Sequence, residues 1–119
     1  MKRTISLNQN RDFVRLYHRG KSQVHPLLVT YGQKTRRGRP RMGITATKKV
    51  GGAVQRNRAK RLIREAYRQL EPAIQGGWDL VFVARSRTAQ VKMQQVRGVM
   101  EAQLRQLSVL GPPRAKDGP

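Results

Sequence analysis

No cysteine occurs anywhere in this chain, which excludes a disulfide framework and any thiolate metal site. Acids are almost as scarce: six Asp and Glu stand against 26 Lys and Arg. Aromatic residues make up only 5% of the chain: Phe13, Tyr17, Tyr31, Tyr67, Trp78 and Phe82. No apolar run approaches the roughly 20 residues needed to span a membrane. The start, Met1-Lys2-Arg3-Thr4-Ile5-Ser6-Leu7, is basic but lacks the apolar core of a secretion signal, so a cytoplasmic protein is expected.

What the chain has in abundance is positive charge. The formal net charge is +20 over 119 residues, a length suited to one domain. Like charges repel in a compact state, so such an excess calls for an anionic partner: nucleic acid, an acidic membrane surface or an acidic protein. Apolar residues, at 37%, suffice for one small core.

Along the chain, residues 1–7 read as a flexible basic arm. Phe13, Leu16 and Tyr17 recur at helical spacing, and Gly20 stops that helix. Residues 27–31 are rich in strand formers. Residues 32–40 read as a basic loop carrying Lys34, Arg36, Arg37 and Arg39. Residues 42–47 alternate apolar with small polar side chains, as a half-buried strand does. After Gly51-Gly52 a long helix is expected over about 53–70. Residues 78–84 are almost continuously apolar, the pattern of a strand covered on both faces. Met93, Val96, Met100, Leu104 and Leu107 mark a last amphipathic helix. Residues 8–108 therefore form one α/β domain, and residues 109–119 read as a disordered tail.

The 53–70 helix separates its faces sharply. At about 100° per residue, Ala59, Leu62, Ile63, Ala66 and Leu70 fall within roughly 60° of one another, while Asn57, Lys60, Arg61, Arg64 and Arg68 lie on the far side. Arg56 and Arg58 sit near the edges of the apolar stripe, in a first turn where the helix dipole disfavours cations. A solvated helix would mix Glu among these charges. The pattern points to polyanion binding, and the arginine fork suits phosphate and base stacking.

Phe13 and Tyr17 share a helical face. With Tyr31 they form either core anchors or a stacking platform for unpaired bases. Periodicity alone favours the core. Lys48 and Lys49 beside Gly51-Gly52 could hold a phosphate, but the spacing of a nucleotide-binding loop is absent. The acids Asp12, Glu65, Glu71, Asp79, Glu101 and Asp117 are scattered, and His18 and His25 have no partners at ligand spacing, so no self-sufficient nuclease or metal site is expected. The helix's apolar face, small at Ala59 and Ala66, suits a sheet better than a membrane. The strand-loop-helix order supplies no helix-turn-helix for DNA.

The run Lys48-Lys49-Val50-Gly51-Gly52-Ala53-Val54-Gln55-Arg56-Asn57-Arg58-Ala59-Lys60-Arg61-Leu62-Ile63-Arg64-Glu65 closely resembles the signature of the bacterial ribonuclease P protein subunit. Asp12-Phe13, Arg19-Gly20 and Asp79-Leu80-Val81-Phe82-Val83-Ala84-Arg85 extend the resemblance over roughly residues 8–108. It implies an α+β fold, an α-β-β-β-α-β-α two-layer sandwich like a ribosomal-protein domain, with a left-handed βαβ crossover that the general right-handed rule would not supply. It implies a partner to a catalytic RNA that removes the 5′ leader of precursor transfer RNA with Mg²⁺ held mainly by the RNA. No catalytic residue and no obligate protein partner are expected in the chain. Arg56, Asn57, Arg58, Lys60, Arg61 and Arg68 would face the catalytic RNA. Phe13, Tyr17, Tyr31, Thr45, Thr47, Lys48 and Arg64 would contact the leader. The alternative is a structural ribosomal-type RNA-binding protein outside any enzymatic assembly. The 32–40 loop matches no part of the family pattern, and stands as an auxiliary RNA contact or a solvated loop.

Overall fold

The computed structural model describes residues 4–111. In chain order it contains β1 (Ile5–Ser6), α1 (Asn10–Arg19), β2 (Lys21–His25), β3 (Leu28–Thr35), β4 (Arg41–Thr45), α2 (Ala53–Leu70), β5 (Gly77–Ala84) and α3 (Met93–Gln106). Short 3₁₀ turns at Lys48–Val50, Glu71–Ala73 and Thr88–Gln90 join them.

The almost unbroken apolar run becomes the middle of the sheet. Its order is β1-β4-β5-β3-β2, so β5 is flanked on both sides and covered on both faces. β4 and β5 run parallel with α2 as their crossover, whereas β3 pairs antiparallel with both β5 and β2. One face carries the main core. Ala59, Ile63, Ala66, Tyr67 and Leu70 of α2 and Val96, Met100 and Leu104 of α3 pack on Leu28, Met42, Leu80 and Phe82. Side chains alternate across a strand, so β4 sends Met42 and Ile44 to this face and Gly43 and Thr45 to the other, which explains its apolar and small-polar alternation. Gln103 ties α3 to the sheet: its Oε1 accepts from the Thr30 hydroxyl at 2.7 Å and its Nε2 donates to the Leu28 carbonyl at 2.9 Å.

Among the described helices, α1 is the one that covers the opposite face. There Leu16 packs with Leu7 and Val81, and Phe13, Tyr31 and Val83 are half-buried around them. A charged cluster lies alongside. Asp79, its side chain 1% exposed, accepts both a bidentate fork from Arg41 (2.9 and 2.7 Å) and a bond from Arg15. Arg15 also donates to Asp12 at 2.7 Å and to Gln33 at 3.0 Å. Burial alone would raise the Asp12 pKa, but the Arg15 hydrogen bond and the charges of Arg41, Arg15 and Arg11 outweigh it and hold the carboxyl below its usual range. The stability it contributes is therefore present above the ordinary carboxylate pKa and is lost as pH falls through the lowered folded value. In Asp12→Asn, thermal melts taken from about pH 6 down to about pH 2 should lose part of their acid dependence; an unchanged acid limb would contradict this.

Four features depart from the sequence reading. Within the arm expected at 1–7, residues 1–3 lie outside the described residues, but Ile5 and Ser6 pair in parallel with Arg41 and Met42, and Leu7 is buried. Thr4 then anchors to the end of α2: its N–H donates to the buried Glu71 at 3.0 Å, and its hydroxyl meets both Glu71 and the Tyr67 hydroxyl. Within the tail expected at 109–119, residues 112–119 lie outside the described residues. Val109 and Leu110 are buried, and Leu110 bridges to Ile74, so the domain runs past 108. β2 was not expected at all. It is an edge strand of mostly polar residues, with no apolar alternation to betray it. The loop expected at 32–40 is also shorter, because β3 continues to Thr35.

Candidate RNA interface

On the α1 face, Tyr17 and Tyr31 meet edge to face, their ring centroids 5.0 Å apart at 70°. The Tyr17 hydroxyl lies 3.1 Å from Thr45 Oγ1, which links α1 to β4. Phe13 lies over Gly43, where a Cβ would come within 2.6 Å of its ring. Glycine is required there for α1 to approach. Phe13 is thus half-buried and packs as a core anchor, whereas Tyr17 is 40% exposed.

Beside this wall a groove of roughly 720 Å³ opens. Val29, Val83 and Ala84 form its floor, Thr47, Lys48, Lys49 and Val50 one bank, and Arg85 and Ser86 the other. The Thr47 hydroxyl caps the 3₁₀ turn, accepting from the Lys49 N–H at 3.3 Å, and so fixes the two lysines at the groove's edge. Gly51 follows with φ +139°, a backbone state that L side chains avoid, and starts the chain into α2. The N-terminal turn of α2 therefore stands beside the groove. Lys49 was singled out in the sequence with Lys48 as a phosphate holder, whereas Arg85 and Ser86 escaped the sequence argument as site residues. The signal for Arg85 was positional: it directly follows the apolar run of β5.

Along α2 the wheel holds. Ala59, Ile63, Ala66 and Leu70 are buried, and Asn57, Arg61, Arg64 and Arg68 are exposed. The stripe-edge arginines are anchored from within. Arg56 donates to the Gly51 carbonyl at 3.0 Å, and Arg58 donates through Nε to the Ala89 carbonyl at 2.8 Å, holding the Thr88–Gln90 turn. Each keeps further N–H groups for a ligand. Among the described residues, the side chains of Asn57, Lys60, Arg61 and Arg64 bond to nothing in the protein. Arg68 differs: Glu65, one turn back, accepts from its Nε at 3.0 Å and holds its charge locally.

Arg64 stands apart from the other residues expected to contact the leader. It lies on α2, which covers the face opposite α1, about 16 Å along the helix from its start. It shares the basic face of Lys60 and Arg61 and is not among the residues lining the groove, where Thr47 and Lys48 are.

The described acids are engaged. Asp12 and Asp79 are held by Arg15 and Arg41, Glu65 by Arg68, Glu101 by Arg105, and Glu71 by Thr4. Among the described residues no three acids or histidines converge on a point where a metal could bind. The arrangement can grip phosphates and stack bases; it offers no carboxylate pair for hydrolysis. Nor is any described helix long and apolar enough to cross a membrane.

Comparison with known proteins agrees with this geometry. The family model for ribonuclease P matches residues 1–108. The chain is 47% identical over 81 residues to the ribonuclease P protein component of Clostridium botulinum (strain Loch Maree / Type A3), covering 67% of this chain and 73% of that protein. It is 41% identical over 109 residues to the ribonuclease P protein component of Herpetosiphon aurantiacus, covering 87% and 89%. The fold superposes on the Staphylococcus aureus RNase P protein with a TM-score of 0.79 at 30% identity, covering 89% of this chain and 97% of that one. With the signature helix, the five-stranded sheet and these matches in agreement, the chain belongs to the ribonuclease P protein family, the protein part of an RNA-based endoribonuclease that processes transfer RNA.

Proposed function

We propose that this chain docks on the catalytic RNA of ribonuclease P through the basic face of α2 and receives the 5′ leader of precursor transfer RNA in the groove beside α1. Family membership implies association with the RNA; the division of labour between the two surfaces is the proposal. One observation carries it. An exposed tyrosine adjoins a groove banked by Lys48, Lys49 and Arg85, and that groove opens near the N-terminal turn of α2, from which the helix's basic face runs on to Lys60, Arg61 and Arg64.

The mechanism is positional and electrostatic. Lys60, Arg61 and Arg64 neutralise phosphates of the enzyme's RNA and release its counterions. Arg56 and Arg58, pinned to the fold by one bond each, present their remaining N–H groups in fixed directions. Tyr17 stacks a leader base while Lys48 and Lys49 take its phosphates, which favours precursor over mature product. The described carboxylates do not fit a Mg²⁺ site, since each is already engaged, so the catalytic ions are assigned to the RNA and no step runs through a protein-held metal. The setting is the cytoplasm.

The test is cleavage of a precursor transfer RNA by a bacterial catalytic RNA at low Mg²⁺, with and without the purified chain. A raised rate is expected; no change would overturn the reading and leave a structural RNA-binding role. Arg61 offers a finer check. Its side chain bonds to nothing among the described residues, so Arg61→Ala should fold normally and flatten the log-log salt dependence of RNA binding by about 0.7–0.9, one phosphate's share. An unchanged slope would remove Arg61 from the interface.

A further inference from the structure

The face that carries the leader groove has a second recess, on the other side of α1. Arg15, Gln33, Lys34, Thr35, Arg36 and Arg37 line it, above the buried Asp79. Val29 in the first groove and Thr35 in the second lie six residues apart on β3, which separates the two by about 20 Å.

The five-residue connection from β3 to β4 is not a loose solvated loop. Its Arg37 N–H donates to Thr35 Oγ1 at 3.2 Å, and its Arg37 carbonyl packs so closely on Gly77 that a Cβ there would lie 1.9 Å away. At its far end Pro40 is buried, and its carbonyl accepts from the Ile5 N–H at 3.0 Å. The backbone is thus held at both ends, while Lys34, Arg36, Arg37 and Arg39 are exposed. Among the described residues no acid pairs with them. The acids nearest the recess, Asp12 and Asp79, are buried and already taken by Arg15 and Arg41. A fixed loop crowded with unpaired cations costs stability through repulsion unless an anion meets it.

We infer that Lys34, Arg36, Arg37 and Arg39 form a second phosphodiester-binding site, so that the protein grips RNA backbone at two places on one face. This rests on the RNA-binding reading above and adds a site to it. The backbone can come from the catalytic RNA or from a leader long enough to pass under α1.

The experiment uses the full chain with Arg36→Ala, Arg37→Ala and Arg39→Ala combined, assembled with catalytic RNA. Binding of the catalytic RNA, of precursor and of mature transfer RNA is measured across a salt series. The log-log slope should fall by about 2–3 in one of these equilibria. A fall in catalytic-RNA binding places the phosphates on the enzyme; a fall confined to precursor places them on the leader. Arg36→Lys, Arg37→Lys and Arg39→Lys combined should restore most of the slope, which a mere misfolding of the loop would not explain. If the wild-type chain stimulates cleavage but the alanine variant keeps every slope, this site is refuted and the main reading stands. If the wild-type chain fails to stimulate cleavage, it is the main reading that fails.

Discussion

Replacing Tyr17 by alanine should weaken the assembled enzyme's affinity for precursor transfer RNA roughly 5- to 100-fold while leaving its affinity for mature transfer RNA unchanged. The range follows from about 1–3 kcal/mol for a base stacked on an aromatic ring, at about 1.4 kcal/mol per factor of ten. Tyr17 is the informative position because its ring is exposed and its contacts with the fold are an edge-to-face tyrosine and one hydroxyl bond to Thr45. Tyr17→Phe keeps the ring and should stay close to wild type. Phe13→Ala is a poorer probe: that ring fills the space over Gly43, so its loss would lower stability and binding together. Equal losses on precursor and mature product in Tyr17→Ala would show that the tyrosine shapes the protein and does not hold the leader.

The largest stability effect is expected at Asp79. Its carboxylate is nearly inaccessible and joins two arginines, Arg41 in a bidentate fork and Arg15 from α1. Removing one member of a buried ionic cluster leaves charges with no partner and typically costs about 3–5 kcal/mol. Asp79→Ala should therefore lower the melting temperature by more than about 12 °C, given roughly 4–8 °C per kcal/mol in a domain of this size. Changing Asp79 to Leu and Asp12 to Asn together with Arg41 and Arg15 to Met should destabilise far less than the single change, because no charge of the cluster is left without a partner. A shift of only a few degrees in Asp79→Ala would mean that water already screens the cluster.

The basic helix and the central strand were legible because each follows a period that one-dimensional sequence preserves: 3.6 for α2, with its buried Ala59, Ile63, Ala66 and Leu70, and unbroken apolarity for β5. The charged cluster was not legible. Asp79 stands alone in an apolar run, which hints at a buried acid, but its partner Arg41 is 38 residues away and nothing local links them. The distance of Arg64 from the groove was not legible for a related reason. A helical wheel tells which side of α2 faces the sheet, not which face of the sheet α2 covers, and α1 turned out to cover the other. β2 escaped because an edge strand with polar side chains carries no alternation to detect. The Tyr17–Tyr31 contact requires α1 to border β3, an adjacency that no local sequence pattern states.

The strand order carries one more consequence, for synthesis. β3 and β4 are neighbours in sequence but not in the sheet; the slot between them belongs to β5, the last strand to leave the ribosome. Until residues 77–84 emerge, β4 has no central partner and Thr4 waits for Glu71, 67 positions downstream. The sheet cannot grow outward from the N-terminus; it closes around its final strand. Most of the chain's 26 cations are therefore made before there is a fold to fix them in place. A nascent chain stalled short of residue 77 would be an unfolded polycation, free to bind ribosomal or messenger RNA indiscriminately, and the arrival of β5 is the event that turns a sticky basic chain into a selective one.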